Sequence, residues 1–516
     1  MFFETIPFRF VMVKILFLHP DMSENHRSRC WPPPLALFLA TAVLASSGCT
    51  LQGAYKSPEQ HGVAPAAWSV GAGTVDVPGR SPTERWWSEL HDPAIDRLVE
   101  VALADGPTLA EAVARVDEAQ ALLRAKSAQS TPTVGASADV IRARQQNTSS
   151  AATEPTLLVT AVSPGLSFSW EVDLFGRIRQ SVEAAHSRID ARTLDAAAIR
   201  LSLAADVAGG VLALRASQGA QSVLTADIAS RERSLALTRR RWAAGFATAA
   251  DETRERIGLA SARTTWFSRQ EQCALQTNAL VALTGQDSST IRALTAPSDE
   301  KTLTDPTLGF VPTVPGAVAE LPAEVLSRHP AILSAQREAQ AAWAEIGVAR
   351  TERLPRLDVA ALLTGQWLRV ASVGRHLTTW SVGPTLSGTL FDGGAGAANV
   401  STAEARYRRA HAVLQRTLRT TVQEVENALA EQVSAEARAS SAGEGVAGAQ
   451  ALLATSQARW RAGAISQLEL EDTRRQLTSM QDALITARRD QAHSWVALVK
   501  ATGGAVTLSA QEPPHE

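Results

Sequence analysis

The chain has 516 residues and a formal net charge of −2, room for two or three ordinary domains or one large repeated unit, with no charge excess to hold nucleic acid. Aromatic residues make up only 5% while Ala and Arg are abundant, a composition that favours long, closely packed helices over a compact aromatic core. Cys30, Cys49 and Cys273 match no disulfide framework, the ten histidines show no paired ligand spacing, and no nucleophile elbow, P-loop or dinucleotide fingerprint is present, so neither an enzyme nor a metal or cofactor site is expected.

The first recognisable feature is Leu35 to Ala45 (LALFLATAVLA), an apolar run too short to span a bilayer as a helix but suited to the core of a secretory signal. Arg27 and Arg29 precede it; Ser46, Ser47, Gly48 and Cys49 follow. This arrangement resembles a lipoprotein signal, in which the Cys49 thiol is acylated and begins the mature chain. Ser46 stands where Leu is usual, and the alternative is plain secretion with an unmodified Cys49. Met22 opens the better signal, so translation is expected to start there. Residues 1–48 are assigned to the signal region and 49–85 to a linker.

Two halves follow, 86–285 and 321–503, joined by 286–320 and ending in a tail, 504–516. Pro107 opens a helical stretch closed by Pro132, with Ala112, Ala119 and Ala125 on one face; Pro330 and Pro355 bound its counterpart, with Ala335, Ala339 and Ala342. Arg241-Trp242-Ala-Ala-Gly245 matches Arg459-Trp460-Arg-Ala-Gly463, and Leu280 to Gly285 matches Leu498 to Gly503, both pairs 218 residues apart. Heptad spacing runs through Val207, Leu214, Ile228, Leu235 and Trp242, and again through Val425, Ala439, Val446, Leu453 and Trp460, with Gln221 and Gln432 as polar gaps. Leu259, Trp266, Cys273 and Leu280 continue the first register, which makes Cys273 a small buried hydrophobe rather than a redox centre. No proline interrupts the stretch from Arg177 to Arg241, enough for a rod of up to about 100 Å. Gly209-Gly210 is the expected point of any bend.

Period two replaces helical spacing in two places. From Leu158 to Leu174 the even positions are mostly apolar and the odd ones mostly small or polar; Trp380 to Leu390 repeats the pattern. With their partners, the strands are expected at about 133–145, 157–175, 356–370 and 377–391, turning over Gln145 to Pro155 and Ala371 to His376. Ten-residue strands of this kind suit a membrane β-barrel, but a barrel needs at least about eight. Open edges in lipid leave backbone groups unpaired at several kcal/mol each. Four strands must therefore be completed by other chains, and three copies supply twelve.

The motif Trp86-Trp87-x-x-Leu90-x-Asp92-Pro93-x-Ile95, the turn Glu171-Val-Asp-Leu-Phe-Gly176-Arg177, Leu390-Phe-Asp-Gly-Gly394 and the paired Arg-Trp-x-x-Gly segments together resemble the TolC/OprM outer-membrane efflux family, specifically its lipidated branch. The resemblance implies an α+β membrane protein: a trimer with a shared 12-stranded β-barrel over an α-barrel of coiled-coil helices. It implies an outer-membrane location, a covalent lipid on Cys49, and partnership with a periplasmic adaptor (a membrane fusion protein) and an inner-membrane pump. Arg241, Trp242, Gly245, Arg459, Trp460 and Gly463 would be adaptor-docking tips, and Glu469, Asp472 and Asp251 an acidic entrance gate. A solvated acidic face paired with Arg474 and Arg475 is the plainer reading of those carboxylates. The rival function is a periplasmic coiled-coil scaffold or adaptor lipoprotein without a pore.

Overall fold

The computed structural model describes Gly53, Tyr55 and residues 67–69, 85–146, 156–296, 311–315, 322–370 and 373–504. The signal region, Cys30 and Cys49, most of the linker, residues 147–155 of the first expected hairpin turn, residues 371–372 of the second, and the C-terminal tail beyond Gly504 lie outside these residues.

Two helices organise everything else. α1 (Pro93–Asp105) and α2 (Pro107–Ser127) lead into β1 (Thr133–Gln146) and β2 (Thr156–Val172). The 67-residue α3 (Arg177–Ala243) then runs away from the sheet, and α4 (Ala249–Thr284) returns along it, followed by α5 (Ser288–Thr295). The second half repeats the plan with α6 (Pro322–Arg328), α7 (Pro330–Thr351), β3 (Arg356–Val370), β4 (Val373–Ser387), the equally long 67-residue α8 (Ala395–Arg461) and α9 (Gln467–Ala501). Near the sheet α3 packs on α2 and α7; farther away it packs on α4 and α9, while α8 packs on α7 and then α9. Each long helix of 67 residues, about 100 Å at 1.5 Å per residue, thus acts as a spine for two half-length helices laid end to end.

Small residues permit these close crossings. α3 stays helical through Gly209-Gly210. Gly210 serves packing: a Cβ there would lie 2.9 Å from Leu280 Cδ2 of α4, and Leu280 is fully buried. Of the expected alanine faces, Ala112, Ala119, Ala335, Ala339 and Ala342 are buried, but Ala125 is exposed. The heptad positions Val207, Leu214, Leu235, Val425 and Val446 are buried as expected. Gln432, a polar gap in that register, is also buried and accepts a 2.6 Å hydrogen bond from Ser494 Oγ of α9. Cys273 is half-buried against the main core, and burial pushes its thiol pKa up, away from reactivity.

The core gathers around the Trp-Trp motif. Trp86, Trp87, Leu90 and Ile95 are all buried, and the Trp86 ring lies 5.9 Å from that of Trp495 on α9. Asp92 caps α1 through Ala94 N (2.8 Å) and is met by Arg215 of α3, whose Nε lies 2.6 Å from Asp92 Oδ2. Both ionic side chains are almost fully covered, so the pair fixes where the N-terminal turn docks. α3 is apolar enough in one stretch to cross a membrane by composition, yet half of that stretch is buried against the rest of the chain.

Candidate functional site

The two ends of the helical array carry the features that point to function. At one end the four strands form one antiparallel sheet in the order β1-β2-β3-β4. Both hairpins occur as expected, but the fourth strand is shifted: it begins at Val373 and ends at Ser387 rather than spanning 377–391. His376, expected in the turn, pairs with Trp367, and Leu390 and Phe391 lie beyond the strand, fully exposed. The second strand likewise stops at Val172, because Asp173 turns to cap α3 by accepting from Ile178 N (3.1 Å) and Arg179 N (2.9 Å). Asp392 does the same work before α8, accepting from Gly394 N (2.8 Å) and Gly396 N (2.6 Å), which holds its carboxyl below the usual range.

The cross-strand register sorts the side chains into two faces. Val140, Val162, Trp367 and His376 share one row, and Ala136, Leu166, Leu363 and Trp380 another row on the same face. The opposite face carries Ser137, Gly165, Thr364 and Thr379 in one row. Asp139, Glu171 and Asp358 all stand on this second, polar face. The apolar face is uncovered: Val134 and Trp380 are each 75% exposed and Val140 72%. Nothing in the chain pairs with the outer edges of β1 and β4 among the described residues. An uncovered apolar face with two free edges suits neither a water-soluble sheet nor a finished membrane one.

At the far end each spine turns back on itself, and the two turns are built alike. After α3, Phe246 N donates to Arg241 O (2.7 Å) and Gly245 N to Trp242 O (2.9 Å); after α8, Ala464 N donates to Arg459 O (2.8 Å) and Gly463 N to Trp460 O (2.9 Å). These paired bonds are a Schellman ending, which needs a left-handed residue, and Gly245 (φ 77) and Gly463 (φ 71) supply it. Sequestering the last carbonyls this way leaves Trp242 and Trp460 about half exposed, at 49% and 43%. Both equivalent turns thus present a tryptophan that no described residue fully covers.

The acidic residues follow immediately, and their fates differ. Asp251 is spent on a cap: its Oδ2 accepts from Thr248 N (3.0 Å) and Oγ1 (2.7 Å), its Oδ1 from Arg254 (3.1 Å), and the Thr248 bonds hold its pKa down. Glu469 occupies the equivalent third position of α9, where its backbone N donates to Ser466 Oγ (3.1 Å), leaving the side chain exposed. Asp472 is exposed and ion-paired with Arg475. Arg474 turns away to Glu471 (2.7 Å), so the expected pairing of both arginines with the Glu469–Asp472 face holds only for Arg475. Arg241 and Asp251 meet with Leu468, the neighbour of Glu469, around a cavity of about 270 Å³.

Sequence reasoning missed Glu471. It is fully buried, accepts from Gln467 (2.7 Å) on its own helix, and reaches across to Ser230 and Arg233 (3.3 Å) of α3. Burial alone would raise its pKa, but these donors outweigh it and keep the carboxylate charged. Its helical phase, beside buried Leu470, was the available signal; its partner on α3 was not readable from spacing.

Comparisons with known proteins agree with this geometry. Residues 98–286 and 321–504 match the family model described as outer membrane efflux protein. The chain is 31% identical over 491 residues to outer membrane protein OprJ of Pseudomonas aeruginosa, covering 92% of this chain and 96% of the relative. It is 29% identical to the probable efflux pump outer membrane protein TtgC of Pseudomonas putida, covering 91% and 95%. Among solved structures, the outer-membrane channel OprN superposes with a TM-score of 0.72 at 25% identity, over 88% of this chain and 99% of that one.

Proposed function

Because the chain belongs to the outer membrane efflux protein family and is an efflux channel of the outer membrane, we propose that it works as a trimer, the passive duct of a three-part export system. The observation that carries this reading is the four-stranded sheet with an apolar outer face and two unpaired edges. Three copies joined edge to edge give a closed barrel, the only kind of sheet stable in lipid. The polar face then lines a wet lumen continuous with the space enclosed by the helices. The duct performs no bond chemistry, and an inner-membrane pump supplies the energy. TtgC is named as an efflux pump component, and by that analogy small molecules are the cargo here. A lipid on Cys49 adds a second hold on the membrane.

In this reading Arg241, Trp242, Gly245, Arg459, Trp460 and Gly463 form the tips on which a periplasmic adaptor docks; half-exposed tryptophan beside arginine is a favoured interface composition. Glu469 and Asp472 stand just inside the second tip and, in three copies, narrow the entrance with a ring of carboxylates that favours cations. Asp251 adds charge rather than a mobile side chain, since its oxygens are engaged in the cap. The test is a planar-bilayer recording. The variant Glu469→Ala/Asp472→Ala is expected to raise conductance and lower the cation-over-anion permeability ratio. Selectivity identical to the parent would remove these residues from the entrance.

A further inference from the structure

The apolar face of the sheet ends in arginine. Arg142 of β1 and Arg369 of β3 lie in one cross-strand row, flanking Thr160 of β2, with Gly374 of β4 on the far side of Arg369. Strands spaced about 4.8 Å apart put the two arginines roughly 10 Å from one another, and Arg144 stands two residues farther out on the same face. Thr160 and Gly374 are small, so neither crowds the guanidinium groups. All three arginines are exposed. Among the described residues none of them pairs with a carboxylate, and the sheet's own acids, Asp139, Glu171 and Asp358, all point to the opposite face. The described part of the sheet therefore supplies no counter-charge to this row.

The position of this row says what supplies it. Along β2 the outward face runs from Thr160 in the arginine row to Trp170, whose Nε1 donates to Ser130 O (3.0 Å) at the helix-side end. Ten residues of strand at about 3.3 Å each, tilted by about 40°, rise roughly 25 Å, which is the height of the apolar band on membrane barrels. The arginines therefore sit at the border of the hydrocarbon layer on the side away from the helices. This rests on the reading above, in which the helices hang in the periplasm and that border belongs to the outer leaflet.

We propose that Arg142, Arg144 and Arg369 form, once per subunit, a binding site for the phosphate groups of the phosphorylated glycolipid of the outer leaflet. Guanidinium groups bind phosphate in a bidentate manner, and their aliphatic stems can lie along the apolar face while the head groups reach the interface. A diphosphorylated glycolipid with phosphates at the ends of a disaccharide is of a size to span arginines about 10 Å apart.

The test uses the full-length trimer in phosphatidylcholine vesicles carrying either diphosphoryl lipid A or the same lipid with its phosphates removed. Lipid retained per trimer is read by native mass spectrometry, and trimer dissociation by heated gel. The parent is expected to retain the phosphorylated form at least tenfold better and to dissociate at a higher temperature with it. Arg142→Gln/Arg369→Gln should abolish that preference, whereas Arg375→Gln, on the polar face of β4, should keep it. Inorganic phosphate should not displace the lipid. Where the double glutamine variant fails to assemble, Arg142→Lys/Arg369→Lys replaces it, with an expected reduction of the preference to a few-fold. Equal retention of both lipids, equal loss in Arg375→Gln, or displacement by inorganic phosphate would overturn the proposal. A conducting parent with no phosphate preference refutes this site alone; a parent that forms no channel removes the channel reading and this site with it.

Discussion

His329 shows what burial does to a single side chain. It precedes α7, is 8% exposed, and burial pushes its pKa from 6.5 down to about 4. The folded chain thus keeps it neutral where the unfolded chain would protonate it. The stability it contributes is complete above about pH 6.5 and is lost as pH falls towards about 4. Heat-induced loss of helix, followed by circular dichroism between pH 7 and 4, should show a falling midpoint, with a smaller fall in His329→Gln; parallel curves would refute this assignment. Residue-level roles were unevenly legible in the sequence. Asp92 stood out only as part of the Trp86–Ile95 motif, though its cap is local, set by Asp92 immediately before Pro93. Its union with Arg215, 123 residues away, was not legible, nor was the Glu471 link to Ser230 and Arg233, since spacing along one helix does not say which helix lies opposite.

Elements were easier to read than contacts, because period and punctuation are local. The long helices begin where Asp173 and Asp392 cap them and end where glycine allows a left-handed turn, and both signals lie within a few residues of the boundary. The fourth strand was misplaced because Thr378, His376 and Gly374 continue its outward face without being apolar, so the alternation fades before the strand does. The glycine logic yields a prediction of opposite signs. Gly463 sits at φ 71 in the second tip, so Gly463→Ala should cost about 1–2 kcal/mol. Gly448 lies inside α8 with open space around it, so Gly448→Ala should stabilise by roughly 0.5–1 kcal/mol. Hydrogen exchange at the tip amides should speed up in the first variant and remain unchanged in the second; the same sign for both would contradict the Schellman ending.

At the scale of the whole molecule, duplication accounts for most of what is seen. Spines of 67 residues begin at Arg177 and Ala395, each entered from a hairpin and each ending in an Arg-Trp-x-x-Gly turn. The repeat was visible in the sequence because its motifs kept one offset. The lateral order of the helices was not, since it depends on which alanine faces meet. Duplication also explains the unfinished sheet: each half contributes one hairpin, the two join through β2 and β3, and β1 and β4 remain as edges. The central claim is that identical copies complete it, and disulfide trapping across those edges tests this most directly. With Cys273 replaced by alanine, single cysteines are placed along β1 and along β4, and the chains are oxidised in outer membranes. The account predicts covalent species up to three chains, restricted to position pairs that share a face. Chains that stay monomeric at every pair while resident in the outer membrane would contradict it.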